Sequence, residues 1–236
     1  MRSRVERIRL DSSKLPALCA EMIAAELRSS IAARGSATLC LAGGTTPQKT
    51  YAALAAQPGV VDWSKVVVYF GDERCVPPDH PDSNFRMASE ALFGPAQVAP
   101  ESVRRMRGED PDYDGAARAY EAELPESFDV LVLGIGEDAH TASLFPGSPA
   151  LAERTRRVVH VVGDKPPPNR LTLTPPAIES ARLVLVLATG RGKAGAVRRA
   201  LEGPLDIANC PVQIARDAVW LLDLEAGAEL TGVWPT

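Results

Sequence analysis

The sequence predicts a doubly wound α/β fold, with a mostly parallel sheet carrying helices on both faces. Three observations lead there. Short apolar runs without polar alternation recur along the 236 residues, as strands buried on both faces require. Stretches rich in Ala, Glu and Arg separate these runs and suit surface helices. The Pro/Gly-rich segments at 77–81, 94–100 and 165–168 are too short to divide the chain, so residues 1–236 read as a single domain.

The elements follow in order. Leu15, Leu18, Met22, Ile23, Leu27 and Ile31 recur at spacings of three and four, predicting a helix over 14–33. Ser13 can cap its start, Pro16 is tolerated in its first turn, and Gly35 can close its end. The run 37–42 is too short for a helix and reads as a buried strand. Residues 66–70 (Val-Val-Val-Tyr-Phe) have the β-branched and aromatic composition of another. Similar runs at 130–133, 158–162, 183–188 and 219–222 predict four more strands of the same kind. Residues 114–123 and 193–201 read as helices between them.

Composition narrows the function. Hydrophobic residues make up 45% and charged residues 24%, an ordinary globular balance. The net charge of −4 disfavours a non-specific nucleic-acid binder, which would carry a basic excess. Apolar runs such as 183–188 fall far short of the ~18 residues a membrane span needs. No apolar stretch follows the N-terminal Met-Arg-Ser-Arg-Val-Glu-Arg, so no secretory signal is expected and the cytoplasm is the expected location. Cys19, Cys40, Cys75 and Cys210 are widely spaced, without metal-ligand spacing. Three have apolar surroundings and read as core residues; Cys75 alone lies beside charged groups.

In such sheets ligands bind beyond the carboxyl ends of the strands. There the sequence places Gly43-Gly44-Thr45-Thr46-Pro47, Gly71-Asp72-Glu73-Arg74, Gly134-Ile135-Gly136-Glu137-Asp138-Ala139-His140-Thr141 and Thr189-Gly190-Arg191-Gly192-Lys193. The first looks like an anion cradle. Two glycines allow close backbone approach, Thr46 can cap a helix, and Pro47 suits its first position. An ordinary strand-to-helix turn is the other reading. Arg74, after two carboxylates, belongs to a surface ion-pair cluster or holds a phosphate or oxyanion. His140 is a structural histidine or a base oriented by Asp138, which could instead cap a helix over 139–144. His80 and His160 lack such company. Arg170, after three prolines, and Lys193, after two glycines, are candidate cations or solvated charges. No P-loop or Gly-x-Gly-x-x-Gly occurs, which weakens a nucleotide-binding module.

At these residues the chain resembles the 6-phosphogluconolactonase family. The segments are LAGGTTP (41–47), GDERCVPPDHPDSNFRMA (71–88), FDVLVLGIGEDAHTASLFPGSPAL (128–151), PPPNRLTLTPPAI (166–178) and ATGRGKA (188–194). They run in family order from about residue 38 to 200, and the third, with its SLFP, is the most specific. The resemblance implies a Rossmann-like fold shared with glucosamine-6-phosphate deaminase. It also implies hydrolysis of 6-phospho-D-glucono-1,5-lactone in the oxidative pentose phosphate pathway, without metal or cofactor. Two departures stand out: Thr45 replaces a common serine, and Ala139 stands where the family usually has glycine before the histidine. A positive φ there would strain alanine and displace His140.

Residues and resemblance together give an expected mechanism. His140, oriented by Asp138, takes a proton from the water that attacks C1, and Arg74 with loop amides receives the oxyanion. Gly43, Gly44, Thr45, Thr46, Asp72, Arg170 and Lys193 form the substrate and phosphate site. No serine or cysteine beside a base suggests a covalent nucleophile. The rival readings are a deaminase-like isomerase, which SLFP and Asp-Glu-Arg argue against, and a non-catalytic sugar-phosphate binder. The expected partner is a small phosphorylated lactone, with no nucleic acid or membrane, for a monomer or small homo-oligomer.

Overall fold

The computed structural model describes residues 7–232. The reading of the N-terminus as free of a secretory signal rests mainly on residues 1–6, which lie outside the described residues. The elements run β1 (Arg7–Leu10), α1 (Leu15–Arg34), β2 (Ala37–Leu41), α2 (Thr45–Ala55), β3 (Val66–Phe70) and β4 (Asp72–Arg74). Next come α3 (Asn84–Ala88), extended by a π turn (Ser89–Phe93) into α4 (Gly94–Ala96), then α5 (Tyr113–Ala122) and β5 (Val130–Gly134). The chain finishes with β6 (Val158–Val162), β7 (Asn169–Leu173), α6 (Pro175–Glu179), β8 (Leu183–Ala188), α7 (Ala194–Glu202) and β9 (Val219–Asp223).

A six-stranded sheet of order β1-β9-β8-β5-β2-β3 is parallel throughout. Its faces are covered as the unalternated strands require. Val130 and Val132 of β5 pack into a core with Leu15, Ile23, Leu27 and Tyr51, while Leu131 and Leu133 pack into another with Phe128, Tyr120 and Trp220. The doubly wound α/β prediction holds. One strand is reassigned: 158–162 leaves this sheet and joins β7 and β4 in a three-stranded antiparallel sheet, order β4-β7-β6. The two sheets share one extended segment, which switches between them at Gly71. Its N–H donates to Leu41 O at 2.8 Å in the parallel sheet, and its carbonyl accepts from Leu173 N at 2.8 Å in the other.

Two helix starts differ from expectation. Ser13 does not cap α1. Asp11, two residues earlier, takes both Ser13 donors on Oδ1, at 2.9 Å from N and 2.6 Å from Oγ, an Asx turn that outcompetes the cap. Gly35, at φ 83, closes the helix as predicted, its N–H bonding Ile31 O. In α2 the cap is Gly44, at φ 103, so Thr46 lies within the first turn and Pro47 is its third residue.

Two buried tyrosines finish strands that feed the loops. Tyr51 Oη accepts from Ala42 N at 2.8 Å and donates to Ala42 O at 3.0 Å. Tyr120 Oη does the same for Phe70, at 2.7 and 3.0 Å. Each hydroxyl thus stands in for a missing strand neighbour. Burial holds both phenols well above their ordinary pKa. Among the described residues, no helix is long and apolar enough to cross a membrane.

Candidate active site

The strand order reverses between β2 and β5, because the chain goes from β2 outward to β3 and then returns on the other side of β2. Loops after these two strands therefore flank a crevice, where open α/β sheets hold ligands. Thr46 Oγ1 and Thr189 Oγ1, 2.6 Å apart, join the first turn of α2 to the loop after β8 across the end of β5.

After β5 the backbone makes a tight turn. Gly136 N donates to His140 O at 2.8 Å, Ala139 N to Gly136 O at 3.0 Å, and Val212 N to Ala139 O at 3.0 Å. Inside it, Asp138 Oδ1 lies 2.5 Å from His140 Nδ1 and accepts from His140 N at 3.2 Å. With Nδ1 committed to the carboxylate, proton transfer falls to Nε2. Burial raises the Asp138 carboxyl, but the charge and hydrogen bonds of His140, helped by Lys165, outweigh it and hold the group below its ordinary value. The pairing therefore stabilises the fold above about pH 4 and is lost as pH falls through the lowered value. No helix follows over 139–144; two successive turns do, so the capping alternative for Asp138 fails.

Ala139 does adopt a positive φ, 72°, yet His140 keeps its bond to Asp138. The left-handed conformation costs alanine about 1–2 kcal/mol. Against this, its fully buried methyl contributes about 0.8 kcal/mol, and glycine would cost about 0.5–1 kcal/mol of chain entropy. These magnitudes nearly cancel. Ala139→Gly is expected to leave stability within about 1 kcal/mol of wild type in urea unfolding. A change above about 2 kcal/mol in either direction would contradict this balance.

The small sheet brings two arginines together. Arg74 of β4 and Arg170 of β7 are direct register partners, so their side chains share one face, an arrangement that costs energy for like charges. Arg74 Nη1 donates to Asp82 O at 2.7 Å, while its Nε is buried without a partner. Burial, then Arg74, pushes the Arg170 pKa down. Two arginines on one face, one with an unmatched buried N–H, offer donors of the kind that suit an anion. Arg170 is not a solvated charge. It is buried in β7, and the loop, with a cis Pro166–Pro167 bond, folds back over it.

The carboxylates beside Arg74 are framework, not a surface ion-pair cluster. Glu73 is buried and accepts from the amides of Arg74, Asn84 and Phe85 at 2.7, 2.8 and 2.8 Å and from Ser83 Oγ at 3.1 Å. Burial nevertheless keeps its carboxyl above the usual range. Both Asp72 oxygens already have donors: Asn84 Nδ2 at 3.2 Å and Ser143 Oγ at 2.7 Å. Gly43 leaves no room for a Cβ, which would collide with the Asn84 amide. Thr45 and Thr46 offer first-turn amides of α2, which have no intrahelical partner. Lys193, half-buried, ends the turn Arg191–Lys193 ahead of α7. That turn is fixed through Gly190, whose N–H meets both oxygens of buried Asp223 at 3.0 Å.

The other histidines and the cysteines have structural surroundings. His80 is half-exposed and accepts from Asp82 N at 3.1 Å. His160 stacks on Tyr113, centroids 4.8 Å apart. Cys75 is half-buried, its thiol pushed up to about 11 by burial and Glu73, so it is no activated nucleophile. All four cysteines are free. Among the described residues, no group of three His, Cys, Asp or Glu gathers to hold a metal ion. Sequence reasoning missed Asn84, Asp223 and Lys165. Asn84, inside the 71–88 segment, and Ser143, inside SLFP, carried a signal through the resemblance.

Fold and strand-end cluster together define a Rossmann-like α/β enzyme. The family model for glucosamine-6-phosphate isomerases/6-phosphogluconolactonase matches residues 10–221. The 6-phosphogluconolactonase of Streptomyces coelicolor is 42% identical, over 90% of this chain and 91% of its own. The solved 6-phosphogluconolactonase of Trypanosoma brucei superposes with a TM-score of 0.83 at 30% identity, covering 98% of this chain and all of that one. A monomeric glucosamine-6-phosphate deaminase reaches a TM-score of 0.84 at 25% identity, over 95% of this chain and 100% of its own. The chain belongs to the glucosamine-6-phosphate isomerase/6-phosphogluconolactonase family, as an enzyme of the 6-phosphogluconolactonase type.

Proposed function

We propose that the chain hydrolyses 6-phospho-D-glucono-1,5-lactone to 6-phosphogluconate, in the cytoplasm, as a step of the oxidative pentose phosphate pathway. The observation that carries the reading is the 2.5 Å contact between His140 Nδ1 and Asp138 Oδ1 at a strand end. In the mechanism, His140 Nε2 takes a proton from water as its oxygen attacks C1. The C1 carbonyl becomes a tetrahedral oxyanion, stabilised by Arg74 and loop amides. Collapse breaks the bond from C1 to the ring oxygen, and the imidazolium returns its proton to that oxygen. The 6-phosphate is held by Gly43, Gly44, Thr45 and Thr46 at the start of α2, with Arg170 and Lys193 supplying charge. Asp72 braces the wall of the site through Asn84 and Ser143.

The deaminase fold matches equally well, so the site must decide between the two. An isomerising deaminase shuttles protons between neighbouring carbons and needs a carboxylate free for that work. Asp72, with a donor on each oxygen, is poorly placed for it. The test is a stopped assay with freshly made lactone at neutral pH, beside an ammonia assay with glucosamine-6-phosphate. Hydrolysis above background without ammonia release is expected. A folded protein that binds 6-phosphogluconate but gives no acceleration would overturn the reading in favour of a binding protein.

A further inference from the structure

The 163–168 loop, between β6 and β7, touches both halves of the site. Lys165 Nζ lies 3.7 Å from Asp138 Oδ2, while Oδ1 serves His140. The carbonyls of Lys165 and Pro167 accept from Arg170 at 3.3 and 2.6 Å. At the base of the loop, Gly163 N donates to Pro168 O at 2.8 Å. A Cβ on Gly163 would meet the Phe145 ring at 2.5 Å, and that ring packs on His140 with centroids 5.0 Å apart. Ammonium, two carbonyls and a bare glycine thus converge on the imidazole–carboxylate pair and the buried guanidinium.

We infer that this loop holds the Asp138–His140 pair and Arg170 in one register, with Lys165 as a positioning residue for the pair. The inference rests on the hydrolytic reading above. A carboxylate engaged through one oxygen can still swing about its terminal torsion, which is broad. A cation on the second oxygen fixes the plane and with it the imidazole. Lys165 is 60% exposed, so its influence is modest and screened by salt. The other charged groups near the turn are Glu137, which lies against Gly192, Arg199, which donates to Glu137 O at 3.4 Å, and the Arg74–Arg170 pair. They are common to every protein compared below.

Lys165→Met removes the ammonium and leaves the loop carbonyls on Arg170. It is expected to lower kcat about three- to fivefold while KM and 6-phosphogluconate affinity stay within about twofold. Loss of the positive charge also moves the acidic limb of the pH–rate profile, which belongs to the coupled pair, upward by about 0.3 pH unit. Lys165→Arg should restore both, and 1 M salt should shrink the difference. An unchanged kcat and profile would overturn the inference. So would a rise in KM matching the fall in kcat, which indicates a collapsed loop. If wild type lacks activity, the hydrolytic reading fails. The imidazole proton resonances, followed against pH in wild type and Lys165→Met, then decide the inference without turnover: a displaced curve supports it and coincident curves refute it.

Discussion

His140→Ala is expected to remove catalysed lactone hydrolysis, with a fall in kcat of about 10²–10⁴-fold. In the proposed mechanism the imidazole is the base, its Nδ1 committed to Asp138 and its Nε2 left for the water. Asp138 cannot replace it, because a carboxylate is by nature a much weaker base than an imidazole, by about 2–3 pKa units. In the same proposal phosphate binding falls to other groups: the first turn of α2, Arg170 and Lys193. Affinity for 6-phosphogluconate by calorimetry should therefore stay within about threefold, under 1 kcal/mol. A variant that hydrolyses the lactone at the wild-type rate would remove His140 from the mechanism. The half-buried ring makes one tilted contact, with Phe145, so the variant is expected to fold.

Gly136→Ala should be nearly as damaging, although it adds a single methyl group. Gly136 is buried and does not use a positive φ, so its backbone accepts alanine. The new Cβ, however, would land on His140 Nδ1 and Asp138 Oδ1 together. The pair must part or the turn must open. A displacement of about 1 Å at reacting groups costs on the order of 10² in rate, and overpacking costs about 1–3 kcal/mol of stability. We expect kcat/KM to fall about 100-fold, with a lower Tm and product affinity retained. Activity within tenfold of wild type would show that catalysis does not need the pair as it stands.

The parallel sheet was legible because strands buried on both faces write themselves as unbroken apolar runs. Residues 66–70, 130–133 and 183–188 could hardly be anything else. The antiparallel sheet was not legible. β4 is Asp-Glu-Arg and β7 is Asn-Arg-Leu-Thr-Leu, and the carboxylates of β4 are buried through partners elsewhere in the chain, Asn84 and Ser143 among them. Without those two strands 158–162 shows no neighbour in the sequence and reads as part of the parallel sheet. The same reason hid the juxtaposition of Arg74 with Arg170, which depends on antiparallel register. The His140 turn was readable because its chemistry is local: Asp138 reaches its partner two residues on. The contact of Lys165 with the same carboxylate left no trace, since a lysine in a proline-rich loop looks like any solvated charge.

The two tyrosine hydroxyls that complete β2 and β3 also set an alkaline limit for the fold. A phenolate cannot donate to the Ala42 or Phe70 carbonyl, and burial disfavours the charge, so neither ring ionises in place. Folded values above unfolded ones mean that this stability is intact below about pH 10 and drains away as the solution becomes more basic. Of the four tyrosines, Tyr51 and Tyr120 should develop phenolate absorbance only together with loss of structure; absorbance appearing in the folded protein would contradict this. Base would therefore release the protein from beneath its functional loops, where those hydroxyls tie down the strand ends.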